Sequence, residues 1–525
     1  MSSKRMLVAA GVLLLHLVAA EAAARDEARA ADVDAAATRA MKAFAVPGIA
    51  VGIVKDGRLV FARGYGVRAV GQPAAVDSDT LFAIGSNTKA FTSAALAILV
   101  DEGKLRWDDR VIDYLPDFRM WDPYVTREFT IRDVLTHRSG LGLGAGDLMF
   151  VTPTDFTRRD IIHGLRYLKP ASSFRSQFAY DNLMYAVAGQ VIEAASGQSW
   201  EDFVTQRIFA PLHMDGCAVS RDRLHGNNVA APHLAEGGTV HTIPPLEVTA
   251  VAPAGSIYCN VSGMARWVAT QLGHGRAPDG TRLFSEEQGE EMWTPQTILH
   301  PAGKRAQLTH SHFAAYGLGW GLEDFDGYKR VSHNGGLPGM VTHVGMIPEL
   351  NVGVIVLTNA QEGAALEAVS LQVLEAYTGV PKRDWVALAS ENKKAREQRI
   401  HDADAKSAPE ASAATWAPGN LDAYAGTFED PWRGAATVTR EGTGLRLTFS
   451  RTSALSGKLT PAGINLFIVR WDDRTLNADA YVRFSEDFTG KVSGFRMQAV
   501  SAATDFSFDF QDLDFTRKPE PAAPR

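Results

Sequence analysis

Cysteine is nearly missing from this chain: Cys217 and Cys259 are the two thiols in 525 residues. A scaffold held by several disulfides cannot be built from two thiols, and neither can a cysteine-rich zinc module. Histidine offers no substitute, since neither H-E-x-x-H nor C-x-x-C spacing occurs. A G-x-S-x-G elbow and a Walker loop are absent too. Gly140-Leu141-Gly142-Leu143-Gly144 has the look of a dinucleotide loop, but it follows a loop rather than a strand and reads as a connection. No cofactor and no metal site are therefore expected. Positive charge is not in surplus: 53 Lys and Arg stand against 60 Asp and Glu, for a net charge of −7. That balance argues against nucleic acid or an anionic membrane as the main partner.

Long apolar runs are scarce as well. Lys4-Arg5 precede Met6 to Val18, a stretch too short to span a bilayer comfortably. With small-x-small sites after Ala22 and Ala24, residues 1–24 read as a cleaved secretory leader. No cysteine follows it for lipid attachment, so the mature chain is expected in the periplasm or outside the cell, without a membrane anchor. An oxidising compartment permits a Cys217–Cys259 bridge. Sequence cannot bring their Cα atoms into range, and two buried free thiols are the expectation.

What is present is an ordinary globular composition, 46% hydrophobic and 22% charged, in a chain long enough for two domains. Its most informative residues are Ser86-Asn87-Thr88-Lys89, an S-x-x-K opening a helical run that Asp101-Glu102-Gly103 stops. Residues at i and i+3 share one helical face, so the Lys89 amine can reach the Ser86 hydroxyl. A desolvated lysine there can take the serine proton or hold a second base deprotonated. Tyr180-Asp181-Asn182 lies just ahead of a second apolar helix, and His333-Asn334-Gly335-Gly336 just ahead of an extended run.

In that order, Ser-x-x-Lys, Tyr-x-Asn and His-x-Gly form the three-motif layout of the penicillin-recognising serine hydrolases. Over about residues 38–378 the chain resembles the class C β-lactamase-like branch, which includes D-aminopeptidases, D,D-peptidases and family VIII-type esterases. Leu135-Thr136-His137-Arg138-Ser139-Gly140-Leu141, Pro253-Ala254-Gly255-Ser256, Tyr316-Gly317-Leu318-Gly319-Trp320 and Val354 to Asn359 match in order.

The expected architecture is α+β. The hairpin 49–64, with an Asp-Gly turn, and the strands at 341–359 form one antiparallel sheet, covered by helices at 86–102, 183–196 and 199–209. Residues 30–380 form this catalytic domain. Residues 381–419, a charged helix and then Ala/Ser/Pro, read as a linker. Alternating runs across 420–518, among them Leu445 to Phe449, Tyr481 to Phe484 and Phe506 to Phe510, argue for a small antiparallel barrel or sandwich. Leu421 to Phe428 resembles the opening of the lipocalin-like domain appended to some relatives. A linker of this length lets the barrel fold back over the catalytic mouth or pair with a second copy.

The resemblance implies that Ser86 forms an acyl-enzyme. Tyr180, its pKa pulled down by Lys89, serves as base and leaving-group donor, with Lys89 as field and relay; which of the two takes the first proton stays open. Asn182 orients substrate or lysine. The oxyanion hole combines the backbone N–H of Ser86 and of Gly336, with Asn334 and Gly335 beside it. β-Lactamases carry lysine in the third motif. His333, mostly neutral at pH 7, fits esterases and aminopeptidases better. Three activities follow: cleavage of amides in small peptides, D-residue-containing ones included; ester, weak β-lactam or D,D-carboxypeptidase hydrolysis at the same site; or a sensor acylated without turnover. Substrate choice is assigned to loops such as 143–178 and 219–250.

Overall fold

Eight antiparallel strands make the central sheet. Their order is Arg58–Gly66, Gly48–Lys55, Val352–Thr358, Met340–Ile347, Tyr328–Leu337, Gly321–Phe325, Ala314–Tyr316 and Thr297–Leu299. The coordinates are a computed structural model describing residues 30–407 and 419–519. The expected leader, 1–24, and the Ala/Ser/Pro part of the linker, 408–418, lie outside the described residues. Asp56 and Gly57 both have positive φ, the backbone of the tight hairpin turn that Asp-Gly favours.

Alternation along the strand Val352–Thr358 shows why the sheet is covered on both sides. Val352, Val354 and Val356 pack with the helices at 30–44, Gly363–Thr378 and Trp385–Ser407. Ile355 and Leu357 point the other way, toward Thr88–Asp101, Leu183–Ser196 and Val261–Leu272. Each such fully buried side chain is worth about 1.5–3 kcal/mol relative to exposure. The start of the expected linker is thus part of this domain, because Trp385 and Val386 bury themselves in its outer layer. No helix among the described residues is long and apolar enough to cross a membrane.

A three-stranded sheet of Phe82–Ala83, Tyr258–Cys259 and Cys217–Ala218 carries the chain into the Ser86 turn. Cys217 and Cys259 sit directly opposite in it, with Cα atoms 4.1 Å apart, and form a disulfide. The expectation of two free thiols fails because a sequence separation of 42 conceals an antiparallel pairing.

The second domain is a closed antiparallel barrel of eight strands between Gly426 and Arg517, with Phe428 paired to Arg517 at the seam. Phe506 to Phe510 is not a strand, although its alternation suggested one. Phe508 and Phe510 are buried with the apolar core, while Ser507 and Asp509 bond to residues of the catalytic domain. Two separate environments, not two faces of a sheet, generate the period of two. Arg451 adds to the joint, bonding Asp155 at 2.7 Å and Asp160 at 3.1 Å with its guanidinium over the Phe156 ring.

Candidate active site

Ser86 lies in a 3-10 turn, Gly85–Asn87, that leads into the helix Thr88–Asp101. Gly85 has φ of +51°, and a Cβ there would overlap the Gly336 nitrogen. A Cβ at Gly335 would likewise run into the Ile84 carbonyl. Glycine at these two positions lets the third-motif strand press its backbone against the nucleophile turn. The amides of Ser86 and Gly336 are brought into one neighbourhood by that approach.

Lys89 is fully buried, and its Nζ donates to Ser86 Oγ at 2.8 Å, Asn182 Oδ1 at 2.7 Å and the Ala254 carbonyl at 3.1 Å. The rings of Tyr180 and Tyr185 lie 4.8 and 5.1 Å from it. Burial pulls the lysine down to about 7, against the opposing pull of Asp147 and Asp181. Lys89 therefore exchanges its proton near neutrality.

Tyr180 behaves otherwise than the sequence suggested. Burial pushes its phenol well above 10, and a hydrogen bond with Ser86 only partly offsets this. The expected lowering by Lys89 is outweighed because the half-buried phenol is walled by rings: His137 lies 4.2 Å from the Tyr180 ring, centre to centre. Tyr180 is held as a neutral phenol, a donor rather than a ready phenolate.

His333 is 8% exposed, and its pKa falls to about 3 through burial and the nearby Lys89 charge. Its Nδ1 lies 2.6 Å from the Asn334 carbonyl, which can only accept, so Nδ1 carries the proton. Nε2 then accepts from the Tyr316 hydroxyl at 2.8 Å. Asn334 departs from expectation. Its side chain meets His343 Nδ1 at 2.5 Å across the neighbouring strand, on the opposite face of the sheet from His333, as adjacent strand residues must be.

The second motif sits on a braced loop. Asp181 Oδ1 accepts from the Leu183 amide at the head of the helix Leu183–Ser196, and the Asp181 amide donates to His137 Nδ1 at 3.0 Å. Thus the Leu135 to Leu141 segment positions the Tyr180 loop. Asn182 turns its Oδ1 to Lys89 and its Nδ2 to Asp147 Oδ2, 2.8 Å away.

Asp147 was not singled out by sequence, nor were its neighbours from the barrel. Its Oδ2 also accepts from Ser507 Oγ at 2.8 Å. Asp509 accepts from the amides of Gly146 at 2.5 Å and Leu148 at 2.9 Å, clasping the turn that bears Asp147. Burial and repulsion from Asp509 raise the Asp147 carboxyl well above the usual range, and burial and repulsion from Asp512 do the same for Asp509. No short motif announces residues that meet across 360 positions. Phe506, 41% exposed, sets its ring edge-on to Tyr180 with centroids 6.1 Å apart.

Comparison with known proteins agrees with this geometry. The Beta-lactamase family model matches residues 33–377. Residues 410–517 match a domain of unknown function, DUF3471. An unguisins hydrolase of Aspergillus campestris is 31% identical over 331 residues, 60% of this chain and 58% of that protein. The chain thus spans less than two thirds of that relative. Penicillin-binding protein 4 of Amycolatopsis lactamdurans is 31% identical over 325 residues, 60% of this chain and 81% of the other. Among solved structures, the octameric penicillin-binding protein homologue from Pyrococcus abyssi shares the fold with a TM-score of 0.61. It is 21% identical, over 92% of this chain and 99% of that one. With well over half of its length matched and its three motifs gathered around one serine, this chain belongs to the Beta-lactamase family of serine hydrolases.

Proposed function

We propose that this protein is a periplasmic or secreted serine hydrolase that cleaves amide bonds of small peptides, D-residue-containing ones included, through an acyl-enzyme on Ser86. The observation that carries the reading is the buried Lys89 amine, 2.8 Å from Ser86 Oγ and titrating at about 7. In the neutral amine, two N–H groups suffice for Asn182 Oδ1 and the Ala254 carbonyl, so the lone pair faces the Ser86 hydroxyl. Ser86 Oγ attacks the acyl carbon while its proton passes to Lys89. The backbone N–H groups of Ser86 and Gly336 hold the oxyanion. As the C–N bond breaks, the leaving nitrogen takes the Tyr180 hydroxyl proton, which Lys89 replaces. Water then attacks the acyl-enzyme ester by the reverse proton route, releasing the acid and restoring Ser86.

Neutral His333 supports this reading over β-lactam hydrolysis, because it offers no permanent cation to a substrate carboxylate. Phe506 at the mouth supports a small substrate. The name of the Aspergillus campestris relative supports hydrolysis as the reaction class. A panel of peptide, ester and lactam substrates, read beside a mass shift on Ser86, tests the proposal. Cleaved peptides with a transient shift are expected. Turnover of esters or lactams alone, or a permanent shift without turnover, would overturn it.

A further inference from the structure

We propose that the barrel completes the catalytic centre: Ser507 is a positioning residue that, through Asp147, fixes the Asn182 amide and so aims Lys89 at Ser86. The inference rests on the acyl-enzyme reading above and adds a residue from the second domain to it.

The direction in which the Asn182 amide points decides how Lys89 is aimed. Asn182 presents its oxygen to Lys89 only while its nitrogen has an acceptor on the far side. Reversed, it would offer N–H to the lysine nitrogen and draw the lone pair away from Ser86. The acceptor that prevents reversal is Asp147 Oδ2. That carboxyl is buried beside a second one, Asp509, and two such groups share a dry site most readily when one holds a proton. A proton on Oδ2 would turn the acceptor into a donor and favour the reversed amide. Ser507 blocks this by donating to the same oxygen at 2.8 Å, so Oδ2 already receives two hydrogen bonds. Among the described residues nothing bonds Oδ1, which is left as the site for any proton. Asp509 clasps the Gly146 and Leu148 amides and keeps the turn in register with Ser507.

Lys89 is faced by the Asp147 and Asp181 carboxyls, the His137 and His333 imidazoles and the Tyr180 and Tyr185 rings; Asp509 faces Asp147 in turn. Ser507 reaches this set through Asp147. Without its hydrogen bond Asp147 keeps its proton more readily, the negative field on Lys89 weakens, and Lys89 sheds its proton at lower pH.

The test uses the full chain and p-nitrophenyl acetate as probe, with burst kinetics and the acetyl mass on Ser86 as readouts. Ser507→Ala should slow acylation about tenfold with KM little changed, in line with the loss of one positioning hydrogen bond. It should also move the acid limb of the pH profile to lower pH. Ser507→Thr, which keeps the hydroxyl, should restore both. A folded Ser507→Ala enzyme with the wild-type rate and profile would overturn the barrel's role while leaving the acyl-enzyme intact. Equal losses in both variants with an unmoved pH profile would reduce Ser507 to a structural contact and also overturn it. Absence of acetyl on wild-type Ser86 would overturn the acyl-enzyme reading itself, and this inference with it.

Discussion

Inside the barrel, rings lie against rings: Phe495 stacks on Phe515 at 4.5 Å, and Phe428, Phe467 and Phe484 meet edge to face around them. Beneath Ser86, by contrast, an equally dry space holds a lysine, two aspartates, two imidazoles and the phenol of Tyr185, with Tyr180 half-buried at its edge. Aromatic packing stabilises by area and by ring geometry and asks nothing of pH. Buried ionisable groups cost stability unless each finds a partner, and their pKa values move as a result. The ring stack uses burial to hold shape, the Ser86 pocket to set proton affinities. The segment around Ser507 is where the barrel takes on the habits of its neighbour.

The largest break in this comparison comes from Ser86→Ala. Turnover should fall by several orders of magnitude, because the nucleophile is gone, while the melting temperature stays close to wild type. Thermal scans beside the substrate panel check both halves. Near-normal rates in that variant would remove Ser86 from the chemistry.

Tyr180→Phe comes next, with a loss of at least about a hundredfold, the usual scale for a general acid–base group. The loss should be greatest for poor leaving groups, since a neutral phenol serves by donating a proton. A series of anilide and active-ester substrates separates the two cases; an equal loss across the series would argue against the donor role.

A third expectation concerns pH. Lys89 must be neutral to accept a proton and holds its own until about 7, so kcat/KM should fall roughly tenfold per unit below that point and level off above it. Asp181, raised to about 7 by burial, titrates in the same range, so the measured midpoint belongs to the pair. A rate governed by a phenolate would still be climbing near pH 10, which a profile in constant ionic strength would reveal.

The converse break belongs to the barrel. Phe495→Ala should lower stability by about 3–5 kcal/mol, as large-to-small changes in packed cores do, with little effect on the pH midpoint of the folded fraction. Denaturant titration with a parallel pH profile measures both. The smallest effect is expected from His333→Lys. A cation there should favour substrates with a free carboxylate by about 1 kcal/mol, read as a ratio of kcat/KM values between matched acid and amide substrates. An unchanged ratio would take His333 out of substrate binding.

Legibility from sequence followed the same divide. Ser86, Lys89, Tyr180 and Asn182 could be read because helix spacing and element junctions place them, and the structure gathers all four. The hairpin, the central sheet and the nucleophile helix were legible for the same local reasons. Asn334 was misplaced because a motif read as a string takes no account of strand alternation, which sends its side chain to the other face. The Cys217–Cys259 bond, Asp147 and the Ser507–Asp509 pair depend on contacts between distant segments, for which local pattern carries no signal. For Tyr180 the residue is legible but its environment is not: the rings that close around the phenol come from distant segments.

The Ser507–Asp147 bond also has a meaning in time. The two residues lie 360 positions apart. At about 5–20 residues per second of synthesis, Asp147 waits tens of seconds for its partner to be made. Throughout that interval a nascent chain already carries the nucleophile, its lysine and its tyrosine, yet lacks the hydroxyl that fixes Asn182.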